Sequence, residues 1–206
     1  MYGVISMTGR PKHTSGKAQV LTEKQQRQVI QFHSGGGSTV LSQRNITILI
    51  FSFKLGLRAK ELASLNIGDV VDDKGNVRDV LRLTTDKTKG ERHRDLPLTN
   101  ATVRKQIKEY VGLLGRSPDS PLFQTIRRKR FSPNSLQQHI KKMFHDAGLD
   151  GKFTSHSGRR TFITTLARKG YDVNSIRELA GHSSLATTQT YIDNDPEALG
   201  RMLKSL

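Results

Sequence analysis

Residues 154–161 read Thr154-Ser155-His156-Ser157-Gly158-Arg159-Arg160-Thr161, and the fold is read outward from them. A threonine at this place caps a helix by accepting a backbone N–H of the first turn. The helix it starts carries His156 and Arg159 three residues apart, on one face. The free N–H groups and the positive dipole end of the helix lie there too, so side chains and helix end can address a single anion. A plainer reading makes His156 a buried, hydrogen-bonded residue with Arg159 serving a neighbour, and this segment alone leaves the two readings level.

Two further segments have the same flavour. In Gly56-Leu57-Arg58-Ala59-Lys60-Glu61-Leu62, Arg58 opens a helix and Glu61 can hold its guanidinium in one orientation, which presents two parallel donors to a phosphate. The alternative is an ordinary surface pair worth about 0.3–0.5 kcal/mol. In Gly181-His182-Ser183-Ser184 followed by Tyr191, a glycine-ended helix presents His182 and the next short helix carries a tyrosine. A single tyrosine is more often half core and half surface than a reactive group.

Around these segments the pattern is mostly helical. Thr22 and Gln25 form a capping box for a helix through about Phe32, broken by Ser34-Gly35-Gly36-Gly37-Ser38. Ser42 is expected to cap a more apolar helix that ends at Gly56, and another runs from Arg58 to Leu65. Val77–Thr84 and Arg94–Leu98 are β-prone, with the polar, turn-rich 85–91 link between them, which predicts a small antiparallel hairpin. Helical periodicity returns over 99–114, 133–147, 156–168, 173–180 and 184–191, and Asp195-Pro196 opens a last helix. The expected organisation is a basic arm over residues 1–19, a catalytic domain over 20–194 and a C-terminal helix over 195–206. The fold class is α+β, mainly helical, with one small antiparallel sheet.

Composition narrows the partner. The chain has 206 residues, 34 Lys and Arg against 18 Asp and Glu, and a formal charge of +16, the footprint of a partner rich in phosphate. A ribosomal or nucleoid protein shares that footprint without any chemistry. There is no cysteine, which excludes disulfides and thiolate metal sites. The longest apolar run, Ile46–Leu55, is interrupted and too short to span a bilayer, and the first residues lack the form of a secretory signal. No membrane partner and a cytoplasmic or nucleoid location are expected. The run Arg127-Arg128-Lys129-Arg130 is either a solvated loop or, with Arg160, a grip on DNA phosphates.

The order Arg, Lys, His-x-x-Arg, His, Tyr resembles the tyrosine recombinases, also called phage integrases, over about Leu21 to Asp193. Gly56-Leu57-Arg58-x-x-Glu61-Leu62, with Leu65 and Asp69, resembles the family's first arginine box. His156-x-x-Arg159 resembles the second. Leu179-Ala180-Gly181-His182-Ser183-Ser184 with Thr187-Thr188-Gln189-Thr190-Tyr191 resembles the third, His182 standing nine residues before the tyrosine. The family's lysine sits in the hairpin turn, where Lys87 and Lys89 compete; counting back from Leu96-Pro97-Leu98 favours Lys89.

The resemblance implies the DNA breaking-rejoining fold and a site-specific recombinase of integrase or invertase type. Tyr191 would attack a DNA phosphodiester and become joined to its 3′ phosphate as the 5′ hydroxyl leaves. A phenol ionises near pH 10, about three units above neutrality, so it needs a proton acceptor and nearby cations. By resemblance His156 is the acceptor, Arg58 and Arg159 clamp the non-bridging oxygens, His182 adds a hydrogen bond and Lys89 protonates the leaving oxygen. No metal and no other cofactor is implied, because the arginines do the charge neutralisation that magnesium does elsewhere. The implied partners are double-stranded DNA, a homotetramer on paired sites and accessory DNA-bending proteins, and mobile elements are a usual setting. Residues 195–206 would be exchanged between subunits or cap their own core.

Most members carry a separate N-terminal helical domain, where this sequence has a short basic arm. It is expected to be either a fragment or a small member like the invertases that flip fimbrial promoters. Two other classes compete. A non-catalytic regulator would use Val173–Tyr191 as a helix-turn-helix, and a topoisomerase would relax supercoils without a site-specific product.

Overall fold

The structure is a computed structural model that describes residues 18–84, 93–115, 117–149 and 151–192. The expected basic arm up to residue 17, the expected turn with Lys87 and Lys89, and the expected helix over 195–206 lie outside the described residues. The elements run in order α1 (Glu23–Ser34), α2 (Val40–Lys54), α3 (Ala59–Ser64), a 3-10 turn (Ile67–Asp69), β1 (Val80–Leu83), β2 (Arg94–Pro97), α4 (Ala101–Gly112), α5 (Pro133–Asp146), α6 (Ser155–Arg168), α7 (Val173–Ala180) and α8 (Leu185–Ile192). The class read from the sequence holds, helices with a two-stranded antiparallel sheet.

The packing centres on α2. Ile46, Ile48, Leu49, Ile50, Phe51 and Phe53 are all buried, so this helix is apolar around most of its circumference and takes neighbours on several sides. It packs against α1, α4, α5 and α6, while α3 packs on α5. A smaller apolar cluster of Phe162, Ile163, Ile176 and Ala180 joins α6 to α7 and has Tyr191 of α8 against it. The last three helices thus form a unit laid against the end of the main core.

Local signals set most boundaries. Thr22 and Gln25 cap α1 reciprocally, with Thr22 N–H on Gln25 Oε1 at 2.9 Å and Gln25 N–H on Thr22 Oγ1 at 3.2 Å. Helix α2 begins earlier than expected, because Thr39 and not Ser42 is its cap and accepts the Ser42 N–H. Ser42 lies inside the helix, where its hydroxyl donates to the His33 carbonyl at 2.6 Å and pins α2 to the end of α1. The first strand is shorter than the predicted 77–84. Asp72 accepts the N–H groups of Lys74 and Asn76, and the tight turn so formed gives Val77 to a bridge with Val71 instead.

In the sheet, Leu81 faces Leu96 and Leu83 faces Arg94. Side chains alternate between faces, so Arg94 shares the inner face with Leu96 while Arg82 and Asp95 meet on the outer face. Gly56 lies within the link from α2 to α3 at φ 63°, and a Cβ there would fall 2.4 Å from the Phe162 ring of α6. Only glycine permits this approach. It brings the link from α2 to α3 against α6, and with it Arg58 close enough to Arg159 for their charges to interact.

Candidate active site

Glu61 is the organising anion. It is fully buried on α3, so the surface-pair alternative for Arg58 and Glu61 is set aside. Its Oε1 accepts from Arg58 Nη1 at 2.8 Å and its Oε2 accepts the Arg58 N–H at 2.7 Å. The same Oε2 accepts from Arg94 Nη2 at 2.9 Å. One carboxylate therefore closes the first turn of α3 and holds two guanidinium groups, bonds that are strong because both partners are charged.

The carboxyl end of α7 supplies the other acceptors. The Ala180 carbonyl accepts from both Arg159 Nη2 and Arg94 Nη1, and the Gly181 carbonyl accepts from Arg58 Nη2 at 3.2 Å. Arg159 Nη1 also donates to the Gly56 carbonyl at 2.7 Å. Three arginines, from the N-cap of α3, from β2 and from α6, thus converge on the negative end of one helix dipole. Gly181 makes this possible by capping α7 in the left-handed region, φ 61° and ψ 49°. A Cβ at Gly181 would lie 2.9 Å from Arg94.

The charges do not balance. Against these arginines the described residues set one carboxylate and main-chain carbonyls, and the surroundings are dry. Burial, then the Arg58 charge, brings the Arg159 guanidinium down to about 9. His182 is brought down to about 4 by burial and by Arg159, Arg58 and Arg94, in that order. Partial desolvation, then the Arg159 and Arg58 charges, also lowers His156, whose side chain keeps access to solvent. A desolvated cluster with excess positive charge is a receptor for an anion.

Tyr191 completes the group. Its ring stacks on His182 with centroids 5.6 Å apart and planes 15° apart, and the Arg160 guanidinium lies 5.8 Å from its ring centre. His182 Nδ1 is 2.9 Å from Thr188 Oγ1. His156 sits on the exposed side of α6, after Thr154, whose hydroxyl accepts the His156 N–H at 3.2 Å.

The structure thus brings together Arg58, Glu61, Arg159, His182 and Tyr191, with His156 electrostatically coupled to both arginines. Lys89 and its alternative Lys87 lie outside the described residues. Arg160 covers the Tyr191 ring. Arg127, Arg128 and Lys129 are exposed on a tight hairpin closed by the Gln124–Arg130 bridge, with Arg128 at φ 58°. Arg130 is different: its Nη1 donates to the Ala63 and Leu65 carbonyls at 3.1 and 3.2 Å, and it ties that hairpin to the end of α3.

Two residues escaped the sequence reading. Arg94 carried a usable signal, since Arg94, Leu96 and Leu98 alternate on one face and the first must point inward with the others. Thr188 carried none beyond its place in the third box. Among the described residues no cluster of three or more His, Cys, Asp or Glu could hold a metal ion, and no helix is long and apolar enough to cross a membrane.

Against known proteins, the model of the phage integrase family matches residues 19–198. The tyrosine recombinase XerC of Alcanivorax borkumensis is 32% identical over 80% of this chain and 52% of its own length. Among solved structures, the XerA recombinase crystal structure aligns at TM-score 0.73 and 26% identity over 97% of this chain and 66% of that one. The XerH recombinase bound to a palindromic difH substrate, a post-cleavage complex, aligns at TM-score 0.70 and 22% identity over 94% of this chain and 55% of that one, a likeness of fold. The chain spans about half the length of the curated relatives it matches.

Proposed function

Because this chain belongs to the phage integrase family, we propose that it is the catalytic domain of a site-specific DNA recombinase working through a 3′-phosphotyrosyl intermediate. The observation that carries the reading is the convergence of Arg58, Arg94 and Arg159 on Glu61 and the carboxyl end of α7, next to the stacked His182 and Tyr191 rings.

The phenol oxygen of Tyr191 attacks the scissile phosphorus, its proton passing to His156. The bond to the 5′ oxygen breaks, and that oxygen takes a proton from Lys89. The reverse reaction, with the 5′ hydroxyl of another strand, reseals the DNA without an outside energy source. Arg58, Arg159 and His182 hold the non-bridging oxygens, and since they are fixed before DNA arrives they need little reorganisation in the transition state. Glu61 orients Arg58. The cations compensate the phosphate charge, so the scheme has no step for a metal or other cofactor.

Double-stranded DNA is the substrate, supported by the charge of +16. Arg127, Arg128 and Lys129 grip its backbone and Arg160 steadies the Tyr191 ring. The working unit is a homotetramer on paired sites, in the cytoplasm where the DNA lies, with DNA-bending proteins as accessories. Residues 1–19 serve as a basic arm and 195–206 as a helix exchanged between subunits.

The test is a nicked suicide duplex library of random sequence. The wild-type chain should form a covalent adduct at Tyr191, mapping to a preferred sequence, and Tyr191→Phe should form none. An adduct count equal in the two proteins would overturn the proposal, as would supercoil relaxation without site preference.

A further inference from the structure

Arg94 opens β2 and is buried at 5% exposure, in register with Leu83 and in phase with Leu96. An aliphatic side chain would fill that layer. Replacing buried ion pairs by well-packed apolar groups is often neutral or stabilising, so stability is a poor reason to bury a guanidinium here. Its partners suggest a better one. Nη2 donates to Glu61 Oε2, the carboxylate that holds Arg58, and Nη1 donates to the Ala180 carbonyl, which also holds Arg159. The side chain itself lies against Gly181 and is shielded from solvent.

We infer that Arg94 is a positioning residue for the phosphate clamp, acting on Arg58 through Glu61 and on Arg159 through the Ala180 carbonyl. The inference rests on the recombinase reading given above. Two effects follow from the geometry. Arg94 fixes both acceptors, so neither clamp arginine can shift alone. It also shares the Glu61 charge, so that Glu61 does not neutralise Arg58 in full and Arg58 keeps positive charge for the DNA phosphate. Without Arg94 the carboxylate would belong to Arg58 alone and draw it inward.

The experiment compares wild type, Arg94→Met and Arg94→Lys on a nicked duplex carrying the sequence recovered from wild-type Tyr191 adducts. The scissile group is either the natural phosphate or a methylphosphonate, in which a methyl replaces one non-bridging oxygen and removes the charge the clamp must meet. Arg94→Met should melt cooperatively and bind the duplex within about threefold of wild type, yet form adduct about 100-fold more slowly on the phosphate, the scale of a misplacement of about 1 Å. On the methylphosphonate the deficit should shrink below about tenfold, because a clamp with less charge to neutralise matters less. Arg94→Lys, with one ammonium to reach two acceptors, should fall between. An unchanged rate for Arg94→Met, or an equal deficit on both substrates, overturns the inference. Failure of both variants to fold overturns it too, since Arg94 would then serve the fold. If wild type forms no Tyr191 adduct on any duplex, the recombinase reading itself fails, before Arg94 is compared.

Discussion

The His182 ring lies face to face with Tyr191, and the same His182 meets Thr188 through Nδ1 at 2.9 Å. Both contacts come from α8, so one short helix carries the tyrosine and a hydroxyl within hydrogen-bond reach of the histidine. For His182 to donate to a phosphate oxygen, as proposed, its ring proton must stand on Nε2, and the Thr188 hydroxyl then donates to Nδ1.

Thr188→Val keeps the shape and removes that hydroxyl. The ring loses its tautomer preference, and adduct formation should slow by about tenfold or more, with a stability loss of about 1–2 kcal/mol. Nitrogen chemical shifts of His182 should show a rise in the Nδ1-protonated form. An unaltered rate together with an unaltered tautomer would refute the assignment.

Glu61→Gln leaves the guanidinium groups of Arg58 and Arg94 without their shared anion in a dry site. Removing one partner of a buried ion pair destabilises by about 3–5 kcal/mol, so thermal or denaturant unfolding should register a large shift. At temperatures where the variant stays folded, cleavage should still be impaired, since Arg58 is no longer held. Wild-type stability would show that the cluster contributes little to the fold.

Acid should weaken the fold through its depressed histidines. His182 and His139 each come down to about 4 in the folded chain, against 6.5 for an ordinary histidine. For His139 the causes are burial, then the Arg44 and His33 charges. A histidine with a depressed folded value favours its neutral form, so its stabilising contribution is complete above about pH 6.5 and is lost as pH falls towards 4. His182→Phe should flatten that decline, by about 3 kcal/mol at the most. Denaturant midpoints between pH 4 and 7 measure it, and a parallel decline in the variant would contradict the account.

The 127–130 run should split by function. Replacing Arg127, Arg128 and Lys129 together by Gln should weaken binding to all duplexes and reduce the salt dependence by up to about three phosphate contacts, with no change in melting temperature. Arg130→Gln should instead lower the melting temperature, because the Ala63 and Leu65 carbonyls lose their donor. A melting temperature unmoved by Arg130→Gln would return that residue to the DNA-contacting group.

Much of this protein was legible without coordinates. Caps such as Thr22 and Thr154, helix-ending Gly181 and the polar break at 34–38 are local events, settled by residues three or four positions apart. Resemblance to the three boxes of the tyrosine recombinases pointed to Arg58, Arg159, His182 and Tyr191, whose residue types suit a phosphate. The errors were local contests as well: Thr39 outcompeted Ser42 for the α2 cap, and the Asp72 turn took Val77 from β1.

Residue types and local spacing therefore determined the helices, the hairpin and the chemical character of this chain, since capping, periodicity and charge act within a few positions. Which guanidinium meets which acceptor was decided by tertiary structure. Arg94 and Glu61 are 33 positions apart, and Arg159 reaches Gly56 across 103. Only packing α3, β2, α6 and α7 around one buried carboxylate excludes the water that would otherwise screen those charges.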